Sequence, residues 1–229
     1  MGFTIAGALA MTGSLLFISS GAGQNRAADE LKGKVREAVL EAKASGRSQI
    51  QILAPLITPT FVDSLYTVGE QYTVIVGQPL QIVTALTVGG YIRTWYKFKV
   101  SEVLTKQPHV PMEPLEEFSS PAVLLPLAAD EVLVTCAGGS IVSEGITVVE
   151  RDPYEFRLRL DRQYVLTVYL EASGAIAARA STSDGFFELQ ADGSILPMGR
   201  KDLPLAKDIY VRTGNSLEFL RRALKEQRR

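Results

Sequence analysis

One cysteine and one histidine are all that the 229 residues hold of the two side chains most used to bind transition metals. Cys136 has no second thiol in the chain, so no intrachain disulfide forms and stability has to come from packing. His109 alone cannot build a metal centre or serve a Ser-His-acid triad, because no Gly-x-Ser-x-Gly turn stands elsewhere to meet it. An excess of one charge is missing too. The 24 Lys and Arg residues against 25 Asp and Glu leave a formal net charge of −1, so no global field draws the chain to nucleic acid or to an anionic membrane. There is no Asp-x-Asp-x-Asp calcium loop, no glycine-rich loop followed by the lysine a phosphate cradle needs, no internal repeat and no low-complexity tract. The sequence supplies no recognisable set of reacting groups and no reason to expect a cofactor or a bound metal.

What is present begins with an apolar leader. Phe3 to Ile18 carries no charged side chain and runs into Ser19-Ser20-Gly21-Ala22-Gly23, the outline of a signal peptide over residues 1–23 with cleavage after Ala22 or Gly23. The usual basic start is lacking, for no Lys or Arg precedes Arg26. The other reading is an uncleaved anchor or a buried helix. The run falls short of the ~20 residues that span a bilayer, and Gly7 and Gly13 weaken a helix. An exported protein, periplasmic or extracellular, is the expectation, with membrane contact only through an uncleaved leader.

Residues 24–60 divide into a helix and an extended lead-in. Leu31, Val35, Ala38, Val39 and Ala42 recur at helical spacing between Asp29, a suitable N-cap, and Gly46, a suitable stop. From residue 61 to about 200 the period changes to two. Thr73 to Val76 and Leu80 to Leu86 read as β-branched runs broken by Gly77-Gln78-Pro79, and Tyr91 to Val100 alternates cleanly. A Pro-rich loop at 106–126, apolar at Leu115, Phe118, Val123, Leu124 and Leu125, reads as a cover lying on the β domain. Further strands are expected at Glu131 to Cys136, Ile146 to Val149, Phe156 to Leu160, Tyr164 to Leu170 and Phe186 to Gln190. Ser143-Glu144-Gly145, Asp184-Gly185 and Asp192-Gly193 mark the turns. Residues 201–229 read as a C-terminal segment and then a helix, with Asn215 and Glu218 as a capping box and Leu217, Leu220 and Leu224 as its stripe.

The strongest candidate for ligand binding is one face of a single strand, where Tyr91, Arg93, Trp95, Lys97 and Lys99 alternate. Aromatic rings beside cations suit a glycan, a peptide or a partner's acidic loop. The competing arrangement has a helix or the Pro-rich loop lying over Trp95, which then serves packing and rules the face out as a binding site. Cys136, at the end of an apolar strand, reads as a small hydrophobe. Acidic pairs among Glu116, Glu117, Glu144, Asp184 and Asp192 would be needed for a hydrolase, but none is singled out by its position.

Thr94 to Val100, Glu131-Val132-Leu133-Val134 with Gly138-Gly139, Tyr164-Val165-Leu166 and Gly214-Asn215-Ser216-Leu217 resemble a group of uncharacterised exported bacterial proteins with a signal peptide, a helix, a β-rich domain and a short C-terminal helix. This chain has Asp161-Arg162-Gln163 where that group has a glycine before the penultimate block. The resemblance implies architecture and no activity. The combined expectation is a mainly β fold, a small antiparallel barrel or sandwich such as an OB-like one, flanked by an N-terminal and a C-terminal helix. Its expected role is that of a non-catalytic binding or cell-envelope module. A secreted hydrolase with an acidic site and a structural or oligomer-forming protein stand as alternatives.

Overall fold

The computed structural model describes residues 33–53, 62–87, 89–105, 121–151, 157–170, 176–179 and 185–227. The leader at 1–23, Asp29, His109, Glu116, Glu117, the 106–120 part of the Pro-rich loop, Phe156 and Asp184 lie outside the described residues.

The chain opens with helix α1 (Gly33–Ala44), whose Val35, Ala38, Val39 and Ala42 are buried at the predicted spacing. Strand β1 (Gln49–Leu53) follows. A short helix, α2 (Leu65–Gln71), escapes a periodicity reading because seven residues containing Thr67, Val68 and Gly69 carry little helical preference. The Ser64 hydroxyl caps it by accepting the Thr67 N–H at 3.2 Å. Two long strands, β2 (Thr73–Leu86) and β3 (Ile92–Thr105), then form an antiparallel hairpin. The expected break at Gly77-Gln78-Pro79 is one continuous strand instead, with register shifts at Val76/Gly77 and Pro79/Gln81.

Those shifts exchange the faces of the hairpin. Before them Ile75 points into a core with Tyr96, Phe98, Val134, Tyr164 and Phe186, while Val74 and Val76 point into a second core under the helices. After them the even-numbered Ile82 joins the first core, and Val83 packs against Trp95 on the opposite side. An unmatched residue in a ladder has this effect, because side-chain direction alternates strictly along a strand. Gly77 permits the close crossing: a Cβ there would fall on the Lys99 carbonyl oxygen.

The remaining strands are β4 (Glu131–Ala137), β5 (Gly139–Ser143), β6 (Ile146–Arg151), β7 (Gln163–Leu170), β8 (Ile176–Arg179), β9 (Phe186–Leu189) and β10 (Ile195–Pro197). Helices α3 (Pro204–Thr213) and α4 (Leu217–Glu226) end the chain. Glu144 and Gly145, both at positive φ, make the predicted β5–β6 turn, and Gly193 serves that role between β9 and β10. Two sheets result, one ordered β1-β6-β5 and the other β10-β9-β7-β2-β3-β4-β8.

Three expectations are corrected. The large sheet curls until β8, parallel to β4, also meets the end of β7 at Val168 to Leu170, yet it does not close as a barrel, because the first half of that same β7 edge pairs with β9. The fold is mainly β, in two sheets with helices at both ends. The predicted strand around Leu158 and Leu160 is absent from residues 157–162. Leu158 is buried, and its N–H is taken by the Tyr96 hydroxyl at 3.3 Å, while the Arg159 N–H is taken by the Tyr164 hydroxyl at 2.8 Å. The segment is pinned by two core phenols in place of a ladder. The cap of α4 is Ser216 and not Asn215, which adopts a left-handed φ of 61° between the last two helices.

Gly77→Ala is expected to destabilise the chain by about 2 kcal/mol or more, since backbone carbonyl cannot yield as a side chain can. Urea denaturation of the two proteins measures it.

Candidate functional site

Trp95 is 1% exposed. It lies on β3 opposite Thr135 of β4 and Val83 of β2, and Leu124, Leu127 and Leu133 complete its surroundings. Leu124 comes from a 3₁₀ turn (Ala122–Leu124) in the described part of the Pro-rich segment and lies over Trp95, whereas Val123 and Leu125, expected in the same cover, are exposed. The cause is hydrophobic: indole, three leucines and Val83 leave water together on this side of the sheet. Of the proposed binding residues, Tyr91 and Arg93 are half-buried. Lys97 is held by Glu131 Oε2 at 3.0 Å and donates to the Pro126 carbonyl at 3.1 Å. Lys99 faces Asp130 at 3.6 Å. The structure therefore corrects the reading of Tyr91, Arg93, Trp95 and Lys97 as an open ligand platform. It is a packed face whose lysines have acidic neighbours at the start of β4.

Several other polar groups inside the fold serve the backbone. Glu150, the one buried carboxylate among the described residues, accepts the Ile92 N–H at 2.6 Å and so joins the small sheet to the turn end of the hairpin. Thr105 accepts the Val74 N–H at 3.0 Å and donates to the Tyr72 carbonyl at 2.8 Å where β2 begins and β3 ends. Thr94 donates to the Gly138 carbonyl at 2.9 Å. These bonds satisfy groups whose loneliness in an apolar interior is costly. Cys136 is buried, as expected of a small hydrophobe. No group of three or more metal-ligating side chains occurs among the described residues.

Among the described residues the exposed aromatics lie elsewhere, on the helical layer. Helices α2, α3 and α4 bury Leu65, Val68, Leu205, Ile209, Leu217, Leu220 and Leu224 against β2, β7 and β9. Asp208 of α3 accepts the Leu65 N–H at the start of α2 at 2.8 Å with one oxygen and Arg212 Nε at 2.8 Å with the other, stitching the two helices together. A bidentate pair between Arg221 and Glu102 fastens α4 to β3. Tyr66 follows Leu65 and Tyr210 stands two residues after Asp208; they are 55% and 63% exposed, and Val211, next after Tyr210, is 80% exposed. Hydrogen bonding to Glu70 raises the Tyr66 phenol above its ordinary value. Phe219 on α4 is also exposed and carries the Arg222 guanidinium over its ring at 5.4 Å. Sequence reasoning missed this surface because it missed α2 and α3. Pro204 at the first position and Gly214 just past the last are a start-and-stop pair that signals α3.

No protein-family model, no curated protein and no solved structure matches the chain.

The described carboxyl groups with displaced titration all shift one way. The Ala128 N–H and then Lys97 hold Glu131 below the usual range, Thr67 and Ser64 hold Asp63, Ser194 holds Asp192, and Arg159 and Arg200 hold Asp161 and Asp202. A carboxyl depressed on folding contributes stability above its unfolded value and loses it as pH falls through the folded one. The urea midpoint is therefore expected to drop between about pH 6 and about pH 3. Glu131→Gln should make that dependence shallower.

Chain-wide, Trp95 is the lone tryptophan and so reports on its cover directly. Leu124→Ala is expected to cost about 2 to 5 kcal/mol and to shift the indole emission to the red. Fluorescence with acrylamide quenching, read beside a denaturation curve, checks both.

Proposed function

We propose that this chain is an exported, non-catalytic binding module of the cell envelope, and that it meets its partner through the helical layer. The observation carrying this reading is that Tyr66 of α2 and Tyr210 of α3, large amphipathic side chains, are left in solvent on two helices joined by the Leu65–Asp208 bond. Tyrosine combines a broad apolar ring with a hydroxyl at small entropic cost, which suits a peptide, an envelope protein or a glycan. Nucleic acid is the poorer fit, since Lys97 and Lys99 are engaged by Glu131 and Asp130. Export follows from the apolar leader, and the resemblance to exported bacterial proteins agrees with it.

The finer fold we infer is OB-like. Around the curled part of the large sheet the order β2-β3-β4-β8-β7 places three meandering strands first and then a fifth strand between the third and the fourth, parallel to the third. On such partly open modules the outer face of the second and third strands commonly binds ligand. Here those strands are β3 and β4, and Leu124 and Trp95 fill that face, which leaves the helices to meet a partner.

The hydrolase reading draws no comparable support, because Glu150 is engaged with the Ile92 N–H. A glycan and peptide array probed with the chain and with a Tyr66→Ala, Tyr210→Ala double variant tests the proposal. Binding that falls at least tenfold in the double variant, with an unchanged circular dichroism spectrum, supports it. Equal signals from the two proteins, or none from either, overturn it.

A further inference from the structure

The small sheet ends on a strand edge that no described strand pairs. Strand β1 pairs with β6 alone among the described strands, in parallel, with Ile50 opposite Val148. The Thr147 N–H donates to the Ser48 carbonyl at 2.9 Å. In a parallel ladder this fixes which residues serve the partner: Ser48, Ile50 and Ile52 direct their backbone groups to β6, whereas Gln49, Gln51 and Leu53 direct theirs outward. The side chains of those same three residues are exposed.

Open edges usually carry a device against pairing, such as charge, proline, brevity or a bulge. Elsewhere in this fold they do. Strand β10 has three residues and ends in Pro197, and the stretch of β2 beyond β7 carries Pro79 and a register shift at Leu80. Gly139 of β5 lies so close to the hairpin that a Cβ would come within 2.6 Å of Thr84 and Thr94. Strand β1 reads Gln-Ile-Gln-Ile-Leu, with no charge, no proline, no glycine and no bulge. Uncharged β-prone edges are what an added strand extends.

We propose that the outer edge of β1 pairs antiparallel with β1 of a second copy of this chain, about a two-fold axis through Gln51. The occupant follows from the sequence of the edge. Ile50-Gln51-Ile52 reads the same in both directions, so the axis sets Ile50 against Ile52 and Gln51 against its own copy, as an isologous contact requires. Gln49 then meets Leu53, and no like charges stand opposite each other. Ile50 and Ile52 both pack on the α1 core, so the pairing carries that core across the junction and joins two three-stranded sheets into one of six.

Sedimentation equilibrium of the full chain over a range of concentrations tests it, beside Gln51→Ala, Gln51→Pro and Gln51→Lys. Proline at 51 removes an outward N–H and leaves the bonds to β6 intact, and lysine sets two cations face to face without touching the backbone. The expected result is a monomer–dimer equilibrium for the parent and Gln51→Ala. Gln51→Pro and Gln51→Lys should stay monomeric with the parent's circular dichroism. A parent monomeric throughout, or association that persists in Gln51→Lys, overturns the proposal. If Gln51→Pro fails to fold, Gln51→Lys decides alone.

Discussion

Every hydrophobic cluster of the described chain takes residues from the pairing of β2 with β3. Val74 and Val76 enter the core under the helices, Ile75, Tyr96 and Phe98 the core within the curl of the large sheet, Ile92 the α1 core, and Trp95 the strap-covered face. Two straight strands could serve only two faces. The register shifts around Gly77 and Pro79 turn the hairpin so that one pair of strands serves more, and Gly77 supplies the backbone clearance. Strands of this length are costly in loop closure and reward it only when distant elements arrive, since β4 and β7 complete the sheet on either side.

This economy shapes what the protein can do. The buried polar groups of Glu150, Thr105, Tyr96 and Tyr164 are engaged with the backbone that turns and splices the strands. On the proposed function, binding falls to the periphery: exposed aromatics on the helical layer, and an edge of β1 that no described strand pairs. The two surfaces are independent in construction, one made by side chains on helices and the other by main-chain groups.

Legibility in the sequence followed the strength of the local pattern. The α1 stripe, the alternation of β3, the buried run of β7 and the Glu144-Gly145 turn could be read because each is short-range and periodic. The continuity of β2 through Pro79 could not, since a local breaker was overruled by pairing with β3. Residues 157–162 alternate like a strand, yet two tyrosine hydroxyls from elsewhere hold Leu158 and Arg159. The candidate site was half legible. That a helix or the Pro-rich segment could cover Trp95 was readable from their hydrophobicity, but which of them did so, and whether the ring faced water, depended on Leu124, which local pattern alone does not place. Tyr66 and Tyr210 gave no sign, because exposure on a helix is visible only once the helix is known.

If one hairpin unites the cores, they cannot melt separately. Urea unfolding followed in parallel by Trp95 fluorescence, which senses the strap side, and by far-ultraviolet circular dichroism, which senses helices and sheets together, tests this most directly. The account predicts superimposable transitions with one midpoint. A Trp95 transition at clearly lower urea than the loss of secondary structure would contradict it.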